Sequence, residues 1–362
     1  MIRTRAAYHI GGNVLPPMRS GMTALCVACV ASLFCARRVD ATECFGIVTP
    51  CINDDTLWPH AGAARFLAVG GIDTVGSRQL GFALVSSYLS RPIVVHLPSP
   101  GGVGADAYVV NDQVNGSFLW SYGVTDRLEL DVALPITFGQ GGAGLSPVTG
   151  GAGLHDTAVR DMRFGFAYAF KASEPDGSQN SPRFAARLEV SAPTGDRDQF
   201  AGERSAVFAP SLAAALQSGR FFFGAEAGAR VRPTTELLGS RVGSQISAAA
   251  GVGVDLLSRG LLSVTLEYWE LLTLVGQNDV VRSSEGYRSV PGGKALAPAE
   301  WLVSVRTEPL GRRDLSLQLG GGGGVGSDIT NPRFRFTFAV RWAPGSTGRG
   351  SGAYRLTGGD LP

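Results

Sequence analysis

The sequence predicts an all-β protein, a transmembrane antiparallel up-and-down β-barrel of about 12 strands. Three observations predict it: segments of alternating polarity, connections that alternate between short and long, and aromatic residues near both ends of the predicted strands. A soluble β-sandwich is the alternative, but its strands would more often run for about five or six residues.

The first 41 residues have the pattern of an export signal. Met22 to Phe34 is an apolar run that is too short to span a bilayer as a helix but suits the core of a signal peptide. Val39-Asp40-Ala41 supplies the small residues of a cleavage site, which makes Thr42 the expected first residue of the mature chain. Met18 and Met22 are alternative starts. The run follows three basic residues, Arg3, Arg5 and Arg19.

Cysteine positions predict one disulfide near the mature N-terminus. After the leader, the chain keeps Cys44 and Cys51. In an exported protein such a pair favours a small disulfide loop, and two thiols without nearby histidines are too few for a zinc site. We therefore expect residues 42–79 to form a periplasmic or plug segment that carries this loop.

Alternating polarity dominates the chain from residue 80 to 343, the expected barrel domain. Successive side chains of a strand point to opposite faces. The predicted strands span 81–97, 112–123, 127–138, 158–172, 182–193, 206–218, 220–232, 244–257, 260–273, 299–309, 314–325 and 333–342. Residues 344–362 are rich in Gly and Ser and are expected to be a disordered tail.

Connection lengths give the predicted barrel an orientation. Short links at 123–126, 217–219, 258–260 and 311–313 alternate with long ones such as 139–157 and 274–298. Outer-membrane barrels have short periplasmic turns and longer extracellular loops, with aromatic girdles at both interfaces. The aromatic residues that fit the two girdles are Trp120, Tyr122, Phe138, Phe170, Phe184, Phe221, Phe223, Trp301, Phe334 and Trp342.

If the apolar faces meet lipid, charged residues of both signs line the lumen. They either pair with one another and fill it, or border a water channel and tune its ion preference. Twelve strands are intermediate between a filled barrel and an open pore, which favours a narrow, partly occluded passage. The expected partners of the arginines in the last strand are carboxylates of the tenth and eleventh predicted strands, such as Glu308 and Asp314. The predicted lumen residues are Arg127, Glu129, Asp131, Arg163, Arg187, Glu189, Glu226, Arg230, Glu267, Arg306, Glu308, Arg333 and Arg335.

These features favour a pore or transporter for passive passage of small solutes, embedded in outer-membrane lipid. A structural barrel that presents its loops to unknown partners is the alternative. An enzyme is not expected, since His60, His96 and His155 lack an evident nucleophile and orienting group. We expect no cofactor and no metal, and a net charge of +2 without a basic stripe argues against nucleic acid.

Three stretches resemble known outer-membrane barrels: Val114–Gly139, Asp156–Phe170 and Leu188–Ser205. The signature Pro193-Thr-Gly-Asp196 after a strand is similar to the transporter-like family named for the MetA pathway of phenol degradation. The same stretches resemble the barrel half of OmpA-like proteins, although the peptidoglycan-binding domain of that pattern is missing. The resemblance covers about residues 60–343 and implies an outer-membrane barrel with passive solute passage or a structural role.

Overall fold

The computed structural model describes residues 44, 46–98, 104–150, 153–170, 182–257, 261–284, 286–309, 314–326 and 328–343. The predicted signal peptide, its cleavage site and the predicted tail after residue 343 lie outside these residues. Among the helices of the described chain, none is long and apolar enough to cross a membrane.

The regular secondary structure of the described chain is almost entirely β-strand, and its longest strands surround a central lumen. β4 and β5 pair with β3 one after the other and together form one strand of the wall. The strands are β1 Leu80–Leu97, β2 Ala105–Gly123, β3 Leu128–Gly141, β4 Ala158–Val159, β5 Arg163–Ala169, β6 Arg183–Ser191, β7 Val207–Ser218, β8 Phe221–Arg230, β9 Thr235–Leu237, β10 Ser240–Val242, β11 Gln245–Asp255, β12 Leu262–Thr273, β13 Gln277–Ser283, β14 Gly286–Gly293, β15 Ala299–Thr307, β16 Leu315–Val325 and β17 Phe334–Trp342.

Pairing of the first strand with the last closes the wall. β1 pairs with β2 on one side and with β17 on the other, and Phe82 lies opposite Trp342 at this seam. All neighbours are antiparallel, and the wall contains 12 strands when β4 and β5 count as one. The predicted fold class, a closed antiparallel up-and-down barrel, is therefore confirmed.

β17 shows how the two faces of the wall differ. Phe334, Phe336 and Phe338 are exposed on the outside, whereas Arg335 and Thr337 are fully buried on the inside. An apolar exterior around a polar interior is the arrangement that lipid requires of a transmembrane barrel, because only a closed barrel pairs every backbone group of its strands. This wall is therefore built for the outer membrane.

The connections divide the barrel into two ends. We call the end with short connections, such as 124–127, the turn end, and the opposite end the loop end. At the loop end the structure differs from the sequence prediction, because two long connections contain hairpins, β9–β10 and β13–β14. Leu237, Leu238 and Val242 from the first hairpin pack into an apolar cluster with Ile93 and other residues of this end.

The second strand extends further than predicted at the loop end, whereas the first ends there at Leu97 as predicted. β2 begins at Ala105, before the predicted start at 112, and it pairs with β1 as far as Leu97. A register shift between Ser90 and Ile93 breaks the regular alternation there. Two further elements are short helices, α1 Ser146–Thr149 and a 3-10 turn Arg197–Gln199.

Candidate functional site

The lumen contains the part of the chain that precedes β1. We call residues 46–79 the lumen segment. At the loop end, the backbone N–H of Leu238 donates to the carbonyl of Ile47 at 2.7 Å. At the turn end, the N–H of Arg78 donates to the carbonyl of Gly123 at 2.6 Å. The segment therefore runs through the barrel from the loop end to the turn end and continues directly into β1.

Residues 54–60, which we call the strap, occupy the half of the lumen nearer the loop end. Two of its aspartates pair with buried wall arginines: Asp54 with Arg160 at 2.8 Å, and Asp55 with Arg335 at 2.9 Å. Arg335 also contacts Glu300 on β15 at 2.7 Å. These buried ion pairs attach the strap to the wall through its own side chains.

His60 and Trp58 attach the part of the strap nearer the lobe to the wall. The Nδ1 atom of His60 lies 2.7 Å from Glu189, and its Nε2 atom lies 3.3 Å from Glu226. A ring with a carboxylate at both nitrogens donates to both only when it carries two protons, which makes His60 a cation here. The guanidinium groups of Arg163 and Arg230 lie over the Trp58 ring, at 4.4 and 4.7 Å from its centroid.

Residues 63–73, which we call the lobe, fill the half of the lumen nearer the turn end. A bridge between Ala63 and Asp73 closes the lobe into a loop. Glu267 of β12 accepts the backbone N–H groups of Leu67 and Ala68 at 2.9 and 2.8 Å. Thus a wall carboxylate binds the backbone of the lobe rather than a side chain.

The same pattern recurs around the lobe. Glu226 accepts from the N–H of Gly70 at 2.6 Å, and the guanidinium of Arg187 donates to the carbonyl of Gly71. Just after the lobe, Glu129 accepts from the N–H of Val75 at 2.6 Å. Backbone groups that would otherwise be buried without partners are satisfied by wall charges of the matching sign.

Phe66 is the apolar anchor of the lobe. Its ring lies 5.4 Å from the ring of Phe222 and against two wall glycines. A Cβ atom at Gly224 or Gly251 would approach the Phe66 ring to 2.7 or 2.6 Å, which is too close for any carbon contact. These two glycines make room for the lobe inside the wall.

Most of the predicted lumen residues face the interior in the structure. Those that bind the lumen segment do so through the contacts above, while Arg306 and Glu308 pair with each other at 3.1 Å near the turn end. Asp131 lies 3.8 Å from Arg187. The residues facing inward are Glu129, Asp131, Arg163, Arg187, Glu189, Glu226, Arg230, Glu267, Arg306, Glu308 and Arg335.

Two predicted lumen residues lie elsewhere, which corrects the sequence prediction. Arg127 is exposed in the turn between β2 and β3, because the strand begins only at Leu128. Arg333 is exposed just before β17, where its N–H donates to the carbonyl of Ser90 at 2.8 Å. In the sequence, the alternation of polarity continues past the ends of both strands. Beyond the strand end, however, the side chains no longer point in turn to the lumen and to the outside.

Arg335 pairs with a carboxylate of the tenth predicted strand, as expected, but the two carboxylates named as examples need correction. Arg335 pairs with Glu300 and Asp55 rather than with Glu308 or Asp314. β17 begins at the loop end, so Arg335 lies level with the start of β15, whereas Glu308 follows the end of β15 at the turn end. Asp314 instead accepts from the indole N–H of Trp342 at 3.1 Å.

Cys44 and Cys51 form a disulfide at the loop end, and both are buried. Arg160 and Glu300 also face the lumen, although neither is among the predicted lumen residues. Glu300 lies six residues before Arg306 and on the same face of β15, so the alternation of that strand would have predicted it. Arg160 could not be found in this way, because Arg160 and the adjacent Asp161 are both buried between β4 and β5, where the alternation breaks.

A cavity of about 50 Å³ lies between the strap and the wall. Pro210 of β7 and Ala229 of β8 border it from the wall, and Trp58 and Trp269 border it from the inside. The ladder between β7 and β8 is interrupted at this point, since pairing stops at Ser211 and only an isolated bridge of Phe208 follows. Proline has no N–H to donate, which accounts for the interruption.

Comparison with solved structures supports the barrel fold. An outer-membrane channel from Pseudomonas putida F1 is 13% identical, with a TM-score of 0.51 over 75% of this chain and 98% of that chain. The NanC porin is 8% identical with a TM-score of 0.41, covering 73% and 99%. The toluene transporter TodX of P. putida is 9% identical with a TM-score of 0.39, covering 73% and 89%. At these identities, the first similarity shows the fold, and the other two carry no argument.

Comparison of sequences identifies the family. No curated protein matches the chain, and nothing in the comparisons supports the OmpA-like part of the resemblance. The family model described as "Putative MetA-pathway of phenol degradation" matches residues 96–291, which is more than half of the chain. The match runs from the end of β1 into β14 and includes the Pro193-Thr-Gly-Asp196 signature. The protein therefore belongs to this family of outer-membrane barrels.

Proposed function

We propose that the protein is an outer-membrane channel for passive passage of small solutes, closed here by its own lumen segment. Its turn end faces the periplasm and its loop end faces the cell exterior, as connection lengths indicate for such barrels. Residues 1–41 act as the signal peptide that delivers the chain to the envelope. When the lumen segment is displaced, the wall charges of both signs border a water-filled passage.

One observation carries this proposal: the lumen is filled by a separate segment and not by the wall itself. A purely structural barrel can fill its interior with side chains of its own strands. Here Glu267, Glu226 and Arg187 instead bind backbone groups of the lobe. Displacing 46–79 would leave these charges facing water, which is the lining a channel needs.

Planar-bilayer recordings test the proposal. The full chain should conduct weakly, and a variant lacking residues 46–75 should conduct at least several-fold more. All pairing of the wall strands is independent of this segment, so the variant should still fold, which heat-dependent mobility on SDS gels verifies. A folded deletion variant that leaves the bilayer sealed at every voltage would favour the structural alternative.

Ion preference tests the role of the wall charges. In the deletion background, Glu129→Gln combined with Glu226→Gln should shift the reversal potential in a salt gradient toward anions. A matched control replaces the half-buried Glu270, which lies on the outer face of β12, by Gln. An equal shift in the control would mean that the lumen carboxylates do not border the conducting path.

The cavity beside Pro210 supports a second route, sideways from the lumen into the bilayer. Pro210 and Ala229 belong to the outer face of the wall, yet they border the same cavity as Trp58 in the lumen. The side chains here are small, and the ladder is interrupted. Filling the cavity with Ala209→Phe should slow uptake of an apolar solute into cells while leaving ion conductance of the deletion background unchanged. Unchanged uptake would remove this route.

A further inference from the structure

The disulfide makes a ring at the outer mouth of the lumen. Cys44 and Cys51 are separated by 7 positions, and we call residues 44–51 the N-terminal ring. Val48 in the ring bridges Leu237 of the β9–β10 hairpin. Immediately after the ring, Ile52 packs into the apolar cluster of the loop end. The ring therefore lies at the loop-end mouth of the lumen and not at the level of the strap.

The opposite end of the lumen segment is fixed at the turn end. Residues 76–79 lead directly into β1, and hydrogen bonds link Arg78 and Gln79 to Gly123 at 2.6 and 3.0 Å. Because its C-terminal end is joined to the wall there, the segment can leave the lumen completely only through the turn end. Leaving that way would draw the ring through the whole length of the barrel.

The ring is wider than the passage it would have to follow. Backbones lying side by side are about 4.8 Å apart, so a closed ring presents two chain widths where a linear chain presents one. At the level of Asp54 to Thr56, in the half of the strap nearer the ring, the lumen holds a single pass of the segment. Arg160, Glu300 and Arg335, from three different parts of the wall, contact that single pass directly.

We infer that the N-terminal ring is a stopper that retains the lumen segment inside the barrel. This inference rests on the proposed function, because it states what keeps the channel closed. With the disulfide intact, the lobe can move within the lumen but the strap cannot leave it. With the disulfide absent, residues 44–51 form a linear chain that can follow the rest of the segment out through the turn end.

The sequence supplies a reporter for this movement. Between Cys44 and Gln79 the only residues after which trypsin cuts, arginine or lysine, are Arg65 and Arg78. Arg65 lies in the lobe and pairs with Asp255 near the turn end. Trypsin can cut after Arg65 only when this stretch leaves its site and becomes extended, since a protease must bind several residues around the bond.

The experiment compares the purified full chain with its Cys44→Ser/Cys51→Ser variant in proteoliposomes exposed to trypsin. We expect cleavage between Arg65 and Phe66 to be at least tenfold faster in the double variant, as measured by mass spectrometry of the fragments. Adding dithiothreitol to the unchanged protein, until mass shows both thiols free, should reproduce that rate. Equal cleavage rates with and without the disulfide would overturn the inference.

A matched control separates the ring from the cluster beside it. Ile52→Ala weakens the apolar cluster but keeps the disulfide, so cleavage after Arg65 should stay within about twofold of the unchanged protein. If Ile52→Ala accelerates cleavage as strongly as loss of the disulfide, the apolar cluster retains the segment, and the inference that the ring is a stopper is wrong.

Cleavage does not depend on conductance, so the two proposals fail separately. A deletion variant that conducts, together with a double Ser variant that resists trypsin, would overturn the stopper and keep the channel. A double Ser variant that is cut rapidly, together with a folded deletion variant that seals the bilayer, would keep the stopper and overturn the channel.

Discussion

The strap and the lobe fill the same lumen but are attached to the wall in different ways. The strap uses its own side chains, such as Asp55 against Arg335 and His60 between Glu189 and Glu226. The lobe offers mainly backbone groups, which the wall binds with charges, as Glu267 does for Leu67 and Ala68. Attachment of the strap therefore depends on the sequence of the segment, and attachment of the lobe depends on the sequence of the wall.

This difference suggests a division of tasks. Breaking a buried ion pair leaves an uncompensated charge, so the strap should tolerate few changes on either side. Backbone hydrogen bonds are insensitive to most side-chain changes in the lobe itself. The lobe, which lies beside the turn end, is the part that can shift within the lumen while the strap stays in place.

The largest effect should come from Arg335→Met in the strap half. The substitution leaves Glu300 and Asp55 buried without their cation, and breaking such a pair costs about 3–5 kcal/mol. The temperature at which heat-dependent mobility on SDS gels is lost should fall accordingly. Arg333→Met, at an exposed position two residues away, is the control and should change stability by less than about 0.5 kcal/mol. Equal effects at both positions would contradict the burial of Arg335.

The next largest effect should come from Glu267→Leu in the lobe half. It removes the acceptor of two backbone N–H groups, and each buried donor left unsatisfied costs about 1–3 kcal/mol. Hydrogen exchange at Leu67 and Ala68 should accelerate, while exchange in the strap stays slow. Glu267→Gln keeps an amide oxygen as acceptor and should have a clearly smaller effect. Faster exchange throughout the lumen segment would mean that strap and lobe move as one unit.

A smaller effect should follow from Gly251→Ala, which affects only the apolar anchor of the lobe. The added Cβ would meet the Phe66 ring at 2.6 Å, and such overpacking costs about 1–3 kcal/mol. Phe66→Leu in the same chain should restore part of the stability by giving the Cβ room. Thermal unfolding of the single and double variants measures the stability that Gly251→Ala removes and the part that Phe66→Leu restores. If Phe66→Leu restored nothing, Phe66 would not be in contact with Gly251.

The smallest effect should come from Asp73→Asn at the end of the lobe. Its ion pair with Arg183 at 2.7 Å is about one-third exposed on both sides, and pairs that face water contribute about 0–1 kcal/mol. Denaturant unfolding should therefore hardly change. A loss as large as that of Arg335→Met would show that the turn end is more enclosed than the structure indicates.

Alternation of polarity is strong enough to predict the wall. In β17 the large apolar residues Phe334, Phe336 and Phe338 face lipid, and a one-residue slip would turn all of them inward. The same rule fails at strand ends, where Arg127 and Arg333 lie outside the ladder. It also fails at Arg160, where the irregular junction of β4 and β5 places two consecutive side chains inside.

The contacts of the lumen segment could not be derived from the sequence. Residues 61–72 are mostly Ala and Gly with a few apolar side chains, and they show neither helical nor strand periodicity. Their conformation is set by wall charges that lie more than a hundred positions away, such as Glu226 and Glu267. Only the general expectation of a plug with a disulfide loop was within reach of sequence reasoning.

The seam between β1 and β17 has a consequence for biogenesis. The lumen segment ends where β1 begins, and β1 makes its last partnership with β17, the C-terminal strand of the wall. A segment that carries a ring at its far end can be placed inside most easily while this seam is still open. The assembling chain should therefore fold its wall around the segment. Oxidation of the two cysteines and pairing of β1 with β17 then become ordered steps in the maturation of one molecule.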